Sequence, residues 1–281
     1  MIPLGIFAKT FPRPTFEVVL DEVAALQLRC VQFNFTCLGL PTLPETIESS
    51  LLERLHAAAT RLGIEIAAVS GTFNLIDPDR ENRDAHLRRL GILASACKTL
   101  EASIITLSTG TRDPTNMWRE HPDNSTPAAW DEMLESIALA LWITEPFEIT
   151  LAVEPEPGNV MSDARKARKL LDEIRSPRLR VLFDAANILA GKSDLPQRDV
   201  LAEAFDLVGP DIALAHGKEF VREERTSRIP GHGELDWDLY LELLLRSGYA
   251  APLVLHGFEE AHAREAVEFV RRKFEQAALA R

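Results

Sequence analysis

Short apolar runs rich in β-branched residues alternate with longer stretches of helical period, eight times over, along the 281 residues of the chain. The apolar runs are Leu4–Phe7, Val31–Phe33, Ile64–Val69, Ser103–Leu107, Ile149–Val153, Leu179–Phe183, Ile212–Ala215 and Pro252–Leu255. The helical stretches that follow them are Phe16–Leu26, Leu51–Leu62, Asp84–Leu100, Ala128–Trp142, Ser162–Ile174, Val200–Val208, Trp237–Ser247 and Ala261–Ala278. Strands buried on both faces read as continuous apolar runs, as a parallel sheet under helices requires. Eight strand–helix units of about 35 residues each predict an α/β protein, a (β/α)8 TIM barrel. An open doubly wound sheet would place a glycine-rich phosphate turn after the first strand, and Ala8-Lys9-Thr10-Phe11-Pro12 is not one.

No linker or shift of composition interrupts the pattern, so residues 1–281 read as a single domain. Ser162 is expected to cap its helix, and Gly63, Gly209 and Gly248 to end theirs in the left-handed region. Two connections are long, Thr109 to Pro127 and Gly217 to Asp236. Both follow strands, on the barrel face where active sites gather.

Four consecutive strands run apolar and then stop at a metal-binding residue type. The stops are Glu154, Asp184, His216 and His256, spaced 30, 32 and 40 residues apart, one unit each. In a barrel these side chains converge on one rim. Two carboxylates and two imidazoles suit Mn²⁺, Co²⁺, Fe²⁺ or Zn²⁺ better than Ca²⁺. Each residue alone has a plainer reading: a hydrogen-bonded histidine, or an aspartate that caps the next helix.

Three further groups are candidates for the pocket. Glu156 lies in the stiff loop Glu154-Pro155-Glu156-Pro157-Gly158-Asn159, which suits binding polyol hydroxyls or forms a solvated acidic turn. Arg112, Trp118, His121 and Asn124 share one loop that either lines a polar pocket or packs on itself. Arg228 precedes the Pro230-Gly231-His232-Gly233 turn and can reach a substrate oxygen, while His232 reads as solvent-facing; Asp236 can cap the next helix.

The formal net charge of −12 opposes a sequence-independent grip on nucleic acid or on anionic membranes. No apolar run reaches the roughly 18 residues that span a bilayer. The N-terminus lacks the pattern of a signal peptide. Cys30, Cys37 and Cys97 form no CxxC pair and read as thiols in a reducing compartment. The expectation is a cytoplasmic protein.

The run from Glu154-Pro155-Glu156-Pro157-Gly158-Asn159 through Val181-Leu182-Phe183-Asp184, Leu214-Ala215-His216-Gly217-Lys218-Glu219, Arg228 with its PGxG turn, and Pro252-Leu253-Val254-Leu255 resembles the sugar phosphate isomerase/epimerase family, the xylose-isomerase-like TIM barrels. That family also includes ketose 3-epimerases, inosose dehydratases and AP endonucleases. The resemblance implies Glu154, Asp184 and His216 as metal ligands, Arg228 as a substrate-binding group, and Glu154 as a base exchanging a proton with substrate carbon. The implied cofactor is one divalent ion, Mn, Co, Mg, Fe or Zn. Two positions depart from the pattern. Asn187, a candidate for substrate binding, stands three residues after Asp184, where the family usually has histidine. His256 stands where it has a glutamate serving as fourth ligand and second acid/base; Glu259 is the nearest carboxylate beyond.

The resemblance implies a metal-dependent isomerase or epimerase that moves a proton through an enediolate of a sugar or polyol-derived ketone. A lyase or dehydratase of a keto-polyol is the first alternative, since Glu154 and His256 form an asymmetric pair. A non-catalytic sugar-binding barrel is the second. The expected partner is a small sugar or polyol, and homo-oligomers are common among such barrels.

Overall fold

A computed structural model describes residues 2–190, 194–221 and 228–279 of the chain. Eight parallel strands close into a barrel in sequence order. They are β1 (Leu4–Phe7), β2 (Cys30–Phe33), β3 (Glu65–Ser70), β4 (Ile104–Ser108), β5 (Thr150–Glu154), β6 (Leu179–Asp184), β7 (Ile212–Gly217) and β8 (Leu253–Leu255). Closure comes from β1 pairing with β8, with Gly5 opposite Val254. The helices α1 (Phe16–Ala25), α2 (Ser49–Leu62), α3 (Arg80–Thr99), α4 (Pro127–Thr144), α5 (Ala164–Ile174), α6 (Ala185–Leu189), α7 (Gln197–Val208), α8 (Trp237–Arg246) and α9 (Ala263–Leu279) follow in chain order.

The expected strand–helix order holds, with boundaries moved by a few residues. α6 is an addition: a five-residue helix that starts directly at the end of β6. Asp163, not Ser162, caps α5, accepting from Lys166 N at 3.0 Å; Ser162 Oγ instead accepts from Lys166 Nζ. Gly63 and Gly248 take the positive φ expected of them. Gly209 does not, because the chain continues from α7 into a tight turn at φ −50° rather than reversing there. Asp236 caps α8 as expected, accepting from Leu239 N at 3.0 Å.

Two packed layers fill the protein. The larger lies between barrel and helices, where α2 buries Leu52, Leu55, Ala58 and Ala59 along one stripe. The smaller fills the barrel itself: Ala68, Ala152, Leu182, Leu214 and Val254, each at most 1% exposed. Burial of such an aliphatic side chain contributes about 1.5–3 kcal/mol for Leu or Val, and this layer makes a dry floor. Side chains two residues on along a strand face the same way. Ser70, Glu154, Asp184, His216 and His256 therefore stand directly above that floor, at the C-terminal rim. The chain's two tyrosines hold β7 in place: Tyr240 Oη donates to the His216 carbonyl at 2.9 Å, and Tyr249 Oη accepts from Ala215 N at 2.8 Å. Among the described residues no helix is long and apolar enough to cross a membrane.

Candidate active site

Asp184, His216 and His256 offer one ligand atom each, all within 4.8 Å of one another. Their strands place them there, since Asp184 is in register with His216, and His216 with Val254 just before β8 ends. Asp184 is fully buried and has two tasks. Its Oδ1 caps α6, accepting from Ala186 N at 2.9 Å and Asn187 N at 3.4 Å. Its Oδ2 faces the site, 3.3 Å from His256 Nε2 and 3.2 Å from Lys218 Nζ. So the helix-capping reading and the ligand reading of Asp184 apply to different oxygens of one group. Burial opposes its ionisation, but Lys218, His256 and His216 outweigh burial and hold Asp184 below the ordinary carboxylate range.

Glu154 stands beside this set rather than within it. Its Oε1 lies 3.5 Å from His216 Nδ1 and accepts from Asn187 Nδ2 at 2.9 Å. Asn187 bridges onward, its Oδ1 accepting from Lys218 Nζ at 2.6 Å. Glu156, two residues along, is half-buried. Burial, then the neighbouring Glu154, push its carboxyl up to about 9. Burial, and then the neighbouring His216, push His256 down to about 4, so its imidazole is neutral at physiological pH. Lys218 stays a cation: the charge of Asp184 beside it, with that of Glu154, overrides its burial.

The donor set fits a divalent ion. A carboxylate oxygen and two imidazoles converge, with a second carboxylate adjacent. His216 Nδ1 is buried and has no hydrogen-bond partner among the described residues, as a ligand nitrogen without its ion would be.

A cavity of about 860 Å³ opens above the rim and meets this cluster at His256. Phe7, Lys9, Arg228, His232 and Glu259 also line it.

The sequence model of the xylose isomerase-like TIM barrels matches residues 20–273, most of the chain. The chain belongs to the xylose isomerase-like TIM barrel family. Three solved structures show how fully the fold of this family is shared. A D-tagatose 3-epimerase-like protein superposes with a TM-score of 0.81 at 13% identity, covering 99% of each chain. The 3-keto-D-glucoside 4-epimerase of E. coli gives 0.76 at 15% identity, covering 97% of this chain and all of its own. A xylose isomerase-like TIM barrel protein from Mycobacterium smegmatis, in complex with magnesium, gives 0.75 at 14% identity, over 99% and 98% of the two chains. No curated protein matches the chain significantly in sequence.

Within this xylose isomerase-like barrel, the expected residues separate into three groups. Glu154, Glu156, Asp184, Asn187, His216 and His256 come together. Arg228 lies apart on the exposed side of the cavity, near His232, whose Nε2 is 2.7 Å from Glu265. Arg112 and Trp118 do neither. Arg112 is ion-paired to Glu132 on α4, a carboxylate it shares with buried Arg83. Trp118 is 50% exposed and outside the cavity lining. Their loop packs on itself: Asn124 bonds Thr111, Arg112 N and the Gly158 carbonyl, and Asn159 bonds Gly110 N and the Met117 carbonyl.

Three residues of this region escape a reading by strand ends. Lys218 stands two residues past His216, on the same face of the chain, and period-two alternation would have found it. Gln32 is the single polar residue in the apolar strand Cys30-Val31-Gln32-Phe33, and its Oε1 lies 2.7 Å from His216 Nε2. Glu219 is buried, and its two oxygens accept from Phe220 N, Leu235 N, Gly231 N and Trp237 Nε1 at 2.6–3.0 Å. It fastens the turn that follows Arg228 to the end of β7.

Proposed function

We infer that this barrel is a sugar isomerase or epimerase that moves a proton at the carbon next to a carbonyl of a sugar or polyol-derived ketone, with a divalent ion held by Asp184, His216, His256 and Glu154. The observation that carries the reading is the convergence of three ligand atoms within 4.8 Å directly beside the Glu154 carboxylate. The family and its epimerase relatives support the reaction class, and the magnesium-bound relative supports the ion.

A bound ion supplies Lewis acidity, drawing electron density from the substrate carbonyl and stabilising the enediolate charge. The protein's own groups do the rest. Glu154, held by Asn187, takes the proton from carbon. Glu156, whose carboxyl is pushed up to about 9 by burial and by Glu154 in the metal-free chain, is the group placed to return a proton. One group to take the proton and another to return it are what such a transfer needs. His256, which converges with Asp184 and His216, is assigned to the ligand set, and Glu156 to the return of the proton. Lys218, held between Asp184 and Asn187, places a fixed positive charge beside the site for a developing oxyanion. Arg228 orients the outer end of the substrate at the cavity mouth.

The same placing of Glu156 also favours a second reading. If it protonates a leaving hydroxyl instead of a carbon, the pair eliminates water from a keto-polyol. One experiment separates the two. Keto-sugars and keto-inositols are incubated with the Mn²⁺-supplemented protein in D₂O and followed by proton NMR. The isomerase reading expects loss of one carbon-bound proton signal and growth of an epimer or isomer. The lyase reading expects a dehydrated product. Glu154→Gln should slow either by about 10²–10⁴-fold. Absence of exchange and turnover across the panel would contradict both.

A further inference from the structure

We propose that Gln32 is a positioning residue that keeps the proton of His216 on Nε2 and leaves the Nδ1 lone pair facing the site. Gln32 comes from β2 and His216 from β7, and both side chains are buried, at 2% and 3% exposed. The amide of Gln32 is held from its other end. Its Nε2 donates to Ser70 Oγ at 3.0 Å and to Thr106 Oγ1 at 3.3 Å. An amide has two N–H donors and one carbonyl oxygen. With both donors used on β3 and β4, the carbonyl oxygen is what Gln32 presents to His216, at 2.7 Å.

A carbonyl oxygen can only accept. A ring nitrogen at that distance has to carry a hydrogen, and a neutral imidazole has one to give. Nδ1 is then left with its lone pair. Its surroundings agree: Nδ1 is buried with no hydrogen-bond partner among the described residues. Glu154 Oε1, 3.5 Å away, is too distant for a good N–H···O hydrogen bond. A proton on Nδ1 would be an unsatisfied buried donor, the costlier defect. Turning the Gln32 amide over would reverse the assignment: the ring would donate toward Glu154 and lose the lone pair that a metal ion needs. The choice between ligand and non-ligand is thus made on the far side of the ring, four strands from Asp184 in the closed barrel. Outer partners of this kind fix ring orientation and basicity in metal sites.

The value of this arrangement for metal binding rests on the proposed function; the tautomer itself does not. The test is therefore read first in metal-free, full-length protein labelled with ¹⁵N-histidine, using two-bond ¹H–¹⁵N correlation spectra. His216→Ala assigns the signals. The expected result is a single His216 tautomer with a pyridine-type Nδ1. Gln32→Met, similar in volume but without the acceptor, should mix or reverse the tautomers and weaken Mn²⁺ binding by about 10–100-fold. Gln32→Glu, which keeps an acceptor in place, should restore the Nε2-protonated ring and most of the affinity. A wild-type ring protonated on Nδ1 overturns the proposal, as does a folded Gln32→Met protein with an unchanged tautomer. If Gln32→Met does not fold, the wild-type spectrum still decides. An Nε2-protonated ring in a protein that binds no divalent ion would uphold Gln32's role and contradict the metal reading.

Discussion

Lys218 Nζ lies 3.2 Å from Oδ2 of Asp184, a carboxylate with no solvent exposure. A buried anion stripped of its partner is far costlier than the pair itself. In metal-free protein, Lys218→Met should lower the unfolding free energy by about 3 kcal/mol, measured by urea titration. Added Mn²⁺ should recover more stability in the variant than in wild type, because a cation beside Asp184 replaces the lost charge. Equal stability of the two metal-free proteins would show that Lys218 does not balance Asp184.

The low proton affinity of His256 gives the metal-free protein a pH dependence of definite sign. Its imidazole is neutral in the fold down to about pH 4, but in the unfolded chain it protonates near the ordinary 6.5. Between these values the unfolded state binds more protons, so stability falls as pH falls from 6.5 to 4, by about 2–4 kcal/mol. Burial lowers His86 as well, which adds a slope of the same sign. The informative quantity is the difference between wild type and His256→Asn. The variant should lose most of the fall across that window, and parallel curves would contradict the assignment.

Glu219 accepts four hydrogen bonds with two oxygens, and an amide there would point N–H groups at two N–H donors. Glu219→Gln should cost about 3 kcal/mol in stability. It should also raise KM more than it lowers kcat once a substrate is found, because the turn it fastens follows Arg228 while Glu154 stays in place. A variant with wild-type stability and KM would remove Glu219 from any role in the site.

Gly158 keeps the long loop after β4 against the loop after β5. A Cβ there would stand 2.3 Å from the Trp118 carbonyl oxygen, which belongs to backbone and cannot swing aside. Gly158→Ala should destabilise the protein by about 1–3 kcal/mol, and chemical denaturation should show it. A neutral effect would mean that the two loops are not locked together.

The barrel was legible because period and burial determine it: each strand has to be apolar on both faces, and eight such runs admit few other closures. Glu154, Asp184, His216 and His256 were legible for the same reason, as the first polar residues above an apolar floor. Lys218 and Gln32 were not. Lys218 falls in what reads as a loop, although it continues the alternation of β7. Gln32 lies inside an apolar strand, and its partner is 184 residues away. Arg112 shows the opposite error. Its residue type suits a pocket, but α4 brings Glu132 within reach, and an ion pair formed across the fold leaves no trace in local sequence. Gly209 shows that a glycine after a helix need not reverse the chain when the next turn carries on in the same sense.

The most direct test of the account is the metal content of the purified, untagged protein after incubation with Mn²⁺, Co²⁺, Fe²⁺, Zn²⁺ or Mg²⁺ and removal of excess ion. Inductively coupled plasma mass spectrometry of wild type, His216→Ala and Asp184→Asn supplies it. Wild type should retain close to one divalent ion per chain, and both variants should lose it. No retained ion in wild type, or the same content in all three folded proteins, would contradict the account.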